Sequence, residues 1–240
     1  MVWQCFILLI IKIKNLSIYK VQMYSIKNSI LEFKPCENDF TIYNPYLKKV
    51  LKLIDDNINY GINETASKLL FMRNDFVTEY SFTIPYYEIL KKITACSPIV
   101  EIGAGSGYWA RCITELGGDV IAYDSSPPGE HAPWEWYKVN AWFDDSWYNV
   151  IQGDETAASA HPDRTLFIAW PMPMSSMAYN TLISYKNGGG KKIIYIGNPH
   201  PASSGDEHFY ELLYQHRELE NIDLYSWPGI TEKLLIYSLV

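Results

Sequence analysis

Two carboxylates flank a glycine-rich loop, and together they could bind a small ligand that carries hydroxyl groups or positive charge. Glu101 stands two residues before Gly103 in the segment IVEIGAGSGYWA, and Asp124 closes the segment VIAYD. Glycine has no Cβ, so a chain that turns at Gly103, Gly105 and Gly107 can adopt positive φ and let a ligand approach its backbone. A carboxylate can accept both hydroxyls of a vicinal diol, and it favours a nearby cationic group.

The elements around these residues place them at one edge of a parallel sheet. The short apolar run 97–100 predicts a buried strand, and the segment YWARCITEL after the loop has helical spacing. Gly117 and Gly118 end that helix, and DVIAY predicts a second strand that finishes at Asp124. The unit is a β-α-β crossover with an acid near the C-terminal end of each strand, where open α/β sheets bind their ligands.

The glycine spacing separates two nucleotide-like ligands. A dinucleotide fingerprint needs G-x-G-x-x-G, and counted from Gly103 its last position is Tyr108. The lysine of a Walker-type loop is absent as well. The pattern G-x-G-x-G behind Glu101 instead resembles motif I of the class I S-adenosylmethionine-dependent methyltransferases.

That resemblance implies a site for S-adenosylmethionine. Glu101 would lie near the methionine end of the cofactor, the glycines would pass under its sugar, and Asp124 would accept the ribose hydroxyls. Asp154, after the third strand, would accept from the adenine amino group, although an Asp there also suits the N-cap of the helix ETAASA. The residues assigned to the cofactor are Glu101, Gly103, Ala104, Gly105, Gly107, Asp124, Ser125, Asp154, Trp170 and Tyr80.

The pattern of elements predicts an α/β fold with a doubly wound, mostly parallel seven-stranded sheet and helices on both faces. Further strands are predicted at YNVIQGD, RTLFIAW and KKIIYIG, and helices at ETAASA, SSMAYNTLISYK and GDEHFYELLYQHREL. The tail IDLYSWPGITEKLLIYSLV predicts a C-terminal antiparallel hairpin around a Trp-Pro-Gly turn. The methyltransferase sheet, in which the last strand runs against the others, resembles this arrangement.

We divide the chain into residues 78–240, the methyltransferase domain, and residues 1–77, an N-terminal extension with a helical cap. The cap comprises PYLKKVLKLIDD and NETASKLLFMR, two patterns with helical spacing. The segment 76–90 would either close over the cofactor, with Tyr80, Ser81 and Phe82 supplying a hydroxyl and a stacking face, or simply pack on the domain.

The segment AWPMPMSSMA after the fourth strand is expected to face the substrate. Enzymes of this family that methylate amines often carry Asn or Asp there, whereas this chain has Trp170, whose indole can only donate a hydrogen bond. Pro171 and Pro173 stiffen the loop. The aromatic stretch 134–148 either lines the substrate pocket or packs in the core. His200, after the fifth strand, is a candidate base or an ordinary loop residue.

Composition and charge limit the partners and the compartment. The net charge is −7, and with no basic stripe in the domain this argues against binding to duplex nucleic acid. The histidines form no ligand pattern, so no metal site is expected, and cysteines without C-x-x-C indicate an intracellular, cytoplasmic protein. The apolar segment 1–14 is too short to span a bilayer. We favour its packing on the domain over contact with a membrane surface or a working start at Met23.

These observations favour an enzyme that transfers a methyl group from S-adenosylmethionine to a small molecule or a protein side chain. A catalytically silent subunit or regulator that keeps the cofactor site, or only the fold, is the main alternative. A nicotinamide enzyme on a related fold is disfavoured by the glycine register.

Overall fold

A seven-stranded sheet forms the centre of the molecule in the computed structural model, which describes residues 27–129 and 139–240. Its strands are β1 (Ile99–Ile102), β2 (Val120–Asp124), β3 (Val150–Gln152), β4 (Thr165–Ala169), β5 (Lys192–Gly197), β6 (Arg217–Asp223) and β7 (Lys233–Ser238). The order across the sheet is β3-β2-β1-β4-β5-β7-β6. Strands β1 to β5 are parallel, and β7 runs antiparallel to both β5 and β6. The predicted sheet and its C-terminal antiparallel pair are confirmed.

Helices cover both faces of the sheet, as predicted. They are α1 (Glu37–Thr41), α2 (Pro45–Asn57), α3 (Ile62–Glu79), α4 (Tyr87–Thr94), α5 (Tyr108–Glu115), α6 (Met177–Asn187) and α7 (Glu207–Leu213). Short 3₁₀ helices occupy Ile30–Glu32, Ile58–Tyr60 and Glu155–Ala160. Because side chains of a strand alternate between faces, Phe167 of β4 joins the cluster under α2 to α5, while its neighbours Leu166 and Ile168 join the cluster under α6 and α7.

The predicted helical cap forms α2 and α3, and its apolar side chains belong to the same core as the sheet. Helix α2 begins where Asn44 accepts a hydrogen bond from the backbone N–H of Leu47 and Pro45 fills the first helical position. Tyr46 of this helix is fully buried, and its hydroxyl accepts a hydrogen bond of 3.2 Å from the indole of Trp227, close to β7. Helix α3 continues to Glu79, across the predicted boundary at 77/78.

The predicted helix through Leu219 is wrong at its C-terminal end. Helix α7 ends at Leu213, and β6 begins at Arg217. This strand lies at the edge of the sheet with most of its side chains exposed, so its sequence RELE has no buried alternation to mark it as a strand. Within the segment 76–90, helix α4 begins at Tyr87.

Two regions named in the sequence analysis lie outside the described residues. They are the N-terminal segment, with residues 1–14 and Met23, and residues 134–138 of the aromatic stretch. In the part of the chain that is described, no helix combines the length and the apolar character needed to cross a membrane.

Candidate functional site

A cavity of about 600 Å³ opens at the C-terminal edge of the parallel strands. Its volume lies within the range of about 300 to 1,000 Å³ that is typical of small-molecule sites. The residues assigned from the sequence that line it are Glu101, Gly103, Ala104, Gly105, Asp124, Ser125, Asp154, Trp170 and Pro171. The sheet therefore brings most of the predicted site to one place.

The glycine loop after β1 has the left-handed backbone that its sequence predicts. Gly103, Gly105 and Gly107 have φ of 75°, 54° and 71°. A Cβ on Gly103 would lie 2.5 Å from Cε of Met177, and one on Gly105 would overlap the ring of Phe143. The bare backbone thus makes room for two cavity-lining side chains. Gly107 does not line the cavity, because it forms the N-cap of α5.

Asp124 ties the glycine loop to the end of β2. Its Oδ2 accepts a hydrogen bond of 2.8 Å from the backbone N–H of Gly105, and its Oδ1 accepts one of 2.9 Å from Ser126. Burial raises the pKa of this carboxyl, and the two backbone donors oppose that effect. Each carboxylate oxygen has a second lone pair, so Asp124 can also accept from a ligand.

Glu101 is a buried acid with an unsatisfied oxygen. The residue is 1% exposed, and its Oε2 has no hydrogen-bond partner among the described residues. Burial, with a further contribution from the charge of Asp124, raises the pKa of Glu101 to about 8. A buried carboxylate without a partner is costly, so a cationic group or a hydrogen-bond donor from a ligand would be favourable here.

Asp154 caps the 3₁₀ helix Glu155–Ala160 and also lines the cavity. Its Oδ1 accepts hydrogen bonds from the backbone N–H and the hydroxyl of Thr156, at 2.9 and 2.5 Å. These bonds lower its pKa. The capping role expected from the sequence is therefore present, and contact with an adenine amino group stays a prediction.

Trp170 follows β4 with an unusual backbone and a fixed indole. Its φ is 48°, a left-handed value that is rare outside glycine. The indole Nε1 donates to Oε1 of Glu232 at 2.6 Å and to the hydroxyl of Thr83 at 2.8 Å, and the ring stacks on Phe82. Glu232 is 1% exposed, and burial raises its pKa. Sequence reasoning missed Glu232, whose only signal was a lone acid before an apolar strand.

Tyr80 and His200 do not line the cavity. The Tyr80 ring is 1% exposed and stacks between Tyr46 and Trp147, at centroid distances of 4.8 and 5.2 Å, whereas its neighbours Ser81 and Phe82 line the cavity. Stacking in the aromatic core thus determines the position of Tyr80.

His200 is exposed on the loop after β5. The backbone N–H of Gly205 and the hydroxyl of Ser204 donate to the carbonyl of Pro171, which folds the end of this loop toward β4. Ser203, not His200, therefore lines the cavity.

The described part of the aromatic stretch is divided between the cavity lining and the core. Trp142 and Phe143 line the cavity. Trp147 instead packs on Tyr80, and its indole donates to the carbonyl of Glu79 at 2.7 Å. The stretch therefore connects the cavity wall to the core beneath it.

The charged side chains that line the cavity are all acidic within the described residues. They are Glu101, Asp124, Asp154 and Glu155, and no Lys, Arg or His in residues 27–129 and 139–240 accompanies them. A ligand with positive charge is favoured at such a site, and one with several negative charges is opposed.

The described part of the chain has the doubly wound sheet, with β7 running against β5, that the resemblance to the class I methyltransferases implies. No protein-family model and no curated protein matches the sequence.

Several solved structures are similar at low identity. A Pyrococcus abyssi tRNA (uracil-54, C5)-methyltransferase has 15% identity and a TM-score of 0.43, over 67% of this chain and 40% of its own length. Magnesium protoporphyrin IX methyltransferase from Synechocystis PCC 6803 has 11% identity and a TM-score of 0.42, over 86% of this chain and 99% of its own. A Streptococcus agalactiae protein of the NADB-Rossmann superfamily has 12% identity and a TM-score of 0.38, over 64% and 68%. This chain thus spans less than half of the first of these proteins.

Proposed function

We propose that the chain binds S-adenosylmethionine in the cavity and transfers its methyl group to a small molecule or a protein side chain. One observation carries the proposal. Glu101 lies beside Asp124 at the glycine loop, and its buried Oε2 has no hydrogen-bond partner among the described residues. S-adenosylmethionine would supply an activated methyl group on a sulfonium, together with an ammonium group and a ribose diol.

The residues present fit this cofactor. The unpartnered oxygen of Glu101 would receive a cationic or N–H group of the methionine portion, which removes the cost of leaving it buried alone. Asp124 would accept the ribose hydroxyls with the lone pairs that the backbone donors of Gly105 and Ser126 leave free. Asp154, which follows the edge strand β3, would accept a hydrogen bond from the adenine amino group.

The same residues suit a dinucleotide less well. A pyrophosphate carries negative charge and is usually bound by backbone donors at a helix N-terminus or by basic side chains. The described cavity lining offers four carboxylates and no basic side chain. The charge of the site therefore supports a sulfonium cofactor over NAD.

Calorimetric titration of the purified protein with S-adenosylmethionine and, separately, with NAD tests this proposal. We expect S-adenosylmethionine to bind and NAD to give no saturable heat. Binding of NAD in preference to S-adenosylmethionine would overturn the proposal. Binding of S-adenosylmethionine without methyl transfer to any acceptor tried would instead favour a silent subunit or regulator.

A further inference from the structure

Four aromatic side chains, Phe82, Trp142, Phe143 and Trp170, form one side of the cavity, which we call the aromatic wall. Phe82 lies at its centre. Its ring stacks on Trp170 with a centroid distance of 5.7 Å and meets Trp142 edge-on at 5.4 Å and Phe143 at 6.2 Å. Because Trp142 is 43% exposed, ring surface remains available to a ligand.

The aromatic wall stands beside the glycine loop. The ring of Phe143 fills the space over Gly105. Trp170 follows β4, which pairs in parallel with β1, so that Glu101 is opposite Phe167. A molecule bound against the aromatic wall would therefore lie next to a ligand held by Glu101 and Asp124.

The aromatic wall has no side-chain group that can accept a hydrogen bond from an amine. Phenylalanine has no polar atom, and an indole can only donate. The indole N–H of Trp170 is already engaged by Glu232 and Thr83. A methyl-accepting nitrogen that carries no hydrogen has no N–H donor, so it leaves no donor unpaired when it lies against these rings.

The charges around the cavity favour a positively charged product. Glu101, Asp124, Asp154 and Glu155 are the charged lining side chains among the described residues. Carboxylates attract a cation, and so do the faces of aromatic rings, most strongly those of tryptophan. The same groups would repel an anionic molecule.

We propose, resting on the function proposed above, that the methyl acceptor is a flat aromatic small molecule with an uncharged ring nitrogen or tertiary amine. The nitrogen lone pair forms the new N–C bond, and the C–S bond of the cofactor breaks with its electron pair passing to sulfur. The positive charge moves from sulfur to nitrogen, and no proton is released. The aromatic wall stabilises the resulting cation, and the carboxylates balance its charge.

Three flat probes of similar shape and different charge test this proposal: N-methylquinolinium, quinoline and naphthoate. Each is titrated, at mildly alkaline pH, into protein saturated with S-adenosylhomocysteine, with binding followed by calorimetry. We expect the cation to bind about tenfold or more tightly than the anion, with neutral quinoline between them. Phe82→Leu and Trp142→Leu should each weaken the binding of the cation by about tenfold. Trp142 was not assigned to the cofactor and is 43% exposed, so Trp142→Leu should still bind S-adenosylhomocysteine.

Tyr60→Leu provides the matched control, since Tyr60 is 72% exposed and does not line the cavity. It should bind all three probes as the wild-type protein does. Equal or tighter binding of naphthoate, or unchanged cation binding in both wall variants, would overturn the proposal and leave the cofactor assignment standing. Failure of the wild-type protein to bind S-adenosylhomocysteine would contradict the proposed function itself, and this proposal with it.

Discussion

The indole Nε1 of Trp170 donates a hydrogen bond of 2.6 Å to Oε1 of Glu232, which joins the end of β4 to the residue before β7. Thr83 donates to the same carboxylate oxygen at 2.6 Å. Trp170 has a left-handed backbone, and such strain persists only where the surrounding structure holds the residue firmly. The Glu232 carboxylate therefore fixes the orientation of one member of the aromatic wall.

Removal of this acceptor should destabilise the protein. Glu232→Ala removes the acceptor of the buried Thr83 hydroxyl and leaves the half-buried Trp170 indole with Thr83 alone, and we expect the free energy of unfolding to fall by about 2 to 3 kcal/mol. Glu232→Gln retains an acceptor oxygen and should lose less. Denaturant unfolding measures both, and the exposed Glu211→Ala on α7 is the control. Equal losses in Glu232→Ala and Glu211→Ala would show that the Trp170 contact contributes nothing.

The glycine loop should tolerate no side chain at Gly105. Gly105→Ala imposes left-handed backbone strain of about 1 to 2 kcal/mol and, in addition, overlap with the Phe143 ring. Gly117→Ala is a matched control, because Gly117 has φ of 83° and open space around its Cβ position. Thermal unfolding should show the larger loss for Gly105→Ala. The steric account fails if the two variants lose the same stability.

Cofactor binding should depend on pH through Glu101. Its pKa is raised from the ordinary value of 4.5 to about 8, so the folded free protein holds this proton more tightly than the unfolded chain does. The stability of the free protein should therefore fall as the pH rises from 4.5 to about 8. A cationic ligand favours the ionised form, so its binding releases the proton below about pH 8.

We expect the affinity for S-adenosylmethionine to rise with pH, by up to about tenfold per unit, and to level off near the pKa of Glu101. Calorimetry in buffers of different ionisation enthalpy measures the proton release directly. Glu101→Gln should bind more weakly and release no proton from this position. A wild-type profile that coincides with that of Glu101→Gln would contradict the role of Glu101.

The two roles considered for Asp154 can be separated by one substitution. Serine is also a good N-cap, so Asp154→Ser should keep the 3₁₀ helix Glu155–Ala160 and leave the free energy of unfolding unchanged. It removes the carboxylate, and we expect a several-fold weaker affinity for S-adenosylmethionine in calorimetry. Unaltered affinity would leave Asp154 with the capping role alone.

The sequence predicts the parallel strands well because β1, β4 and β5 are short buried apolar runs that end at a recognisable residue. The sequence also predicts that Glu101 and Asp124 lie together at the C-terminal edge of the sheet, since both stand at fixed positions relative to the glycine loop. The C-terminal hairpin is predicted, but the start of its first strand is not, because residues 217–221 of β6 are mostly exposed and show no buried alternation. Local patterns cannot show which strand such an edge strand will pair with.

Contacts between distant parts of the chain were equally hidden. Thr83 and Glu232 are 149 positions apart, and only the folded sheet brings them to Trp170. Tyr80 and Phe82 are near neighbours in sequence, and the packing of Tyr46 decides which of the two faces the cavity. Such choices depend on tertiary packing, which overrides what spacing alone can indicate.

The most direct test of the central claim is a calorimetric titration of the wild-type protein and Asp124→Ala with S-adenosylmethionine. Loss of the ribose acceptor should weaken binding by about 1.5 to 3 kcal/mol, roughly tenfold to more than a hundredfold. Asp75→Ala, at an exposed position on α3, is the control and should bind as the wild-type protein does. Saturable wild-type binding that Asp124→Ala weakens selectively is the predicted result. Absence of wild-type binding, or equal affinity in both proteins, would contradict a cofactor site built on Asp124.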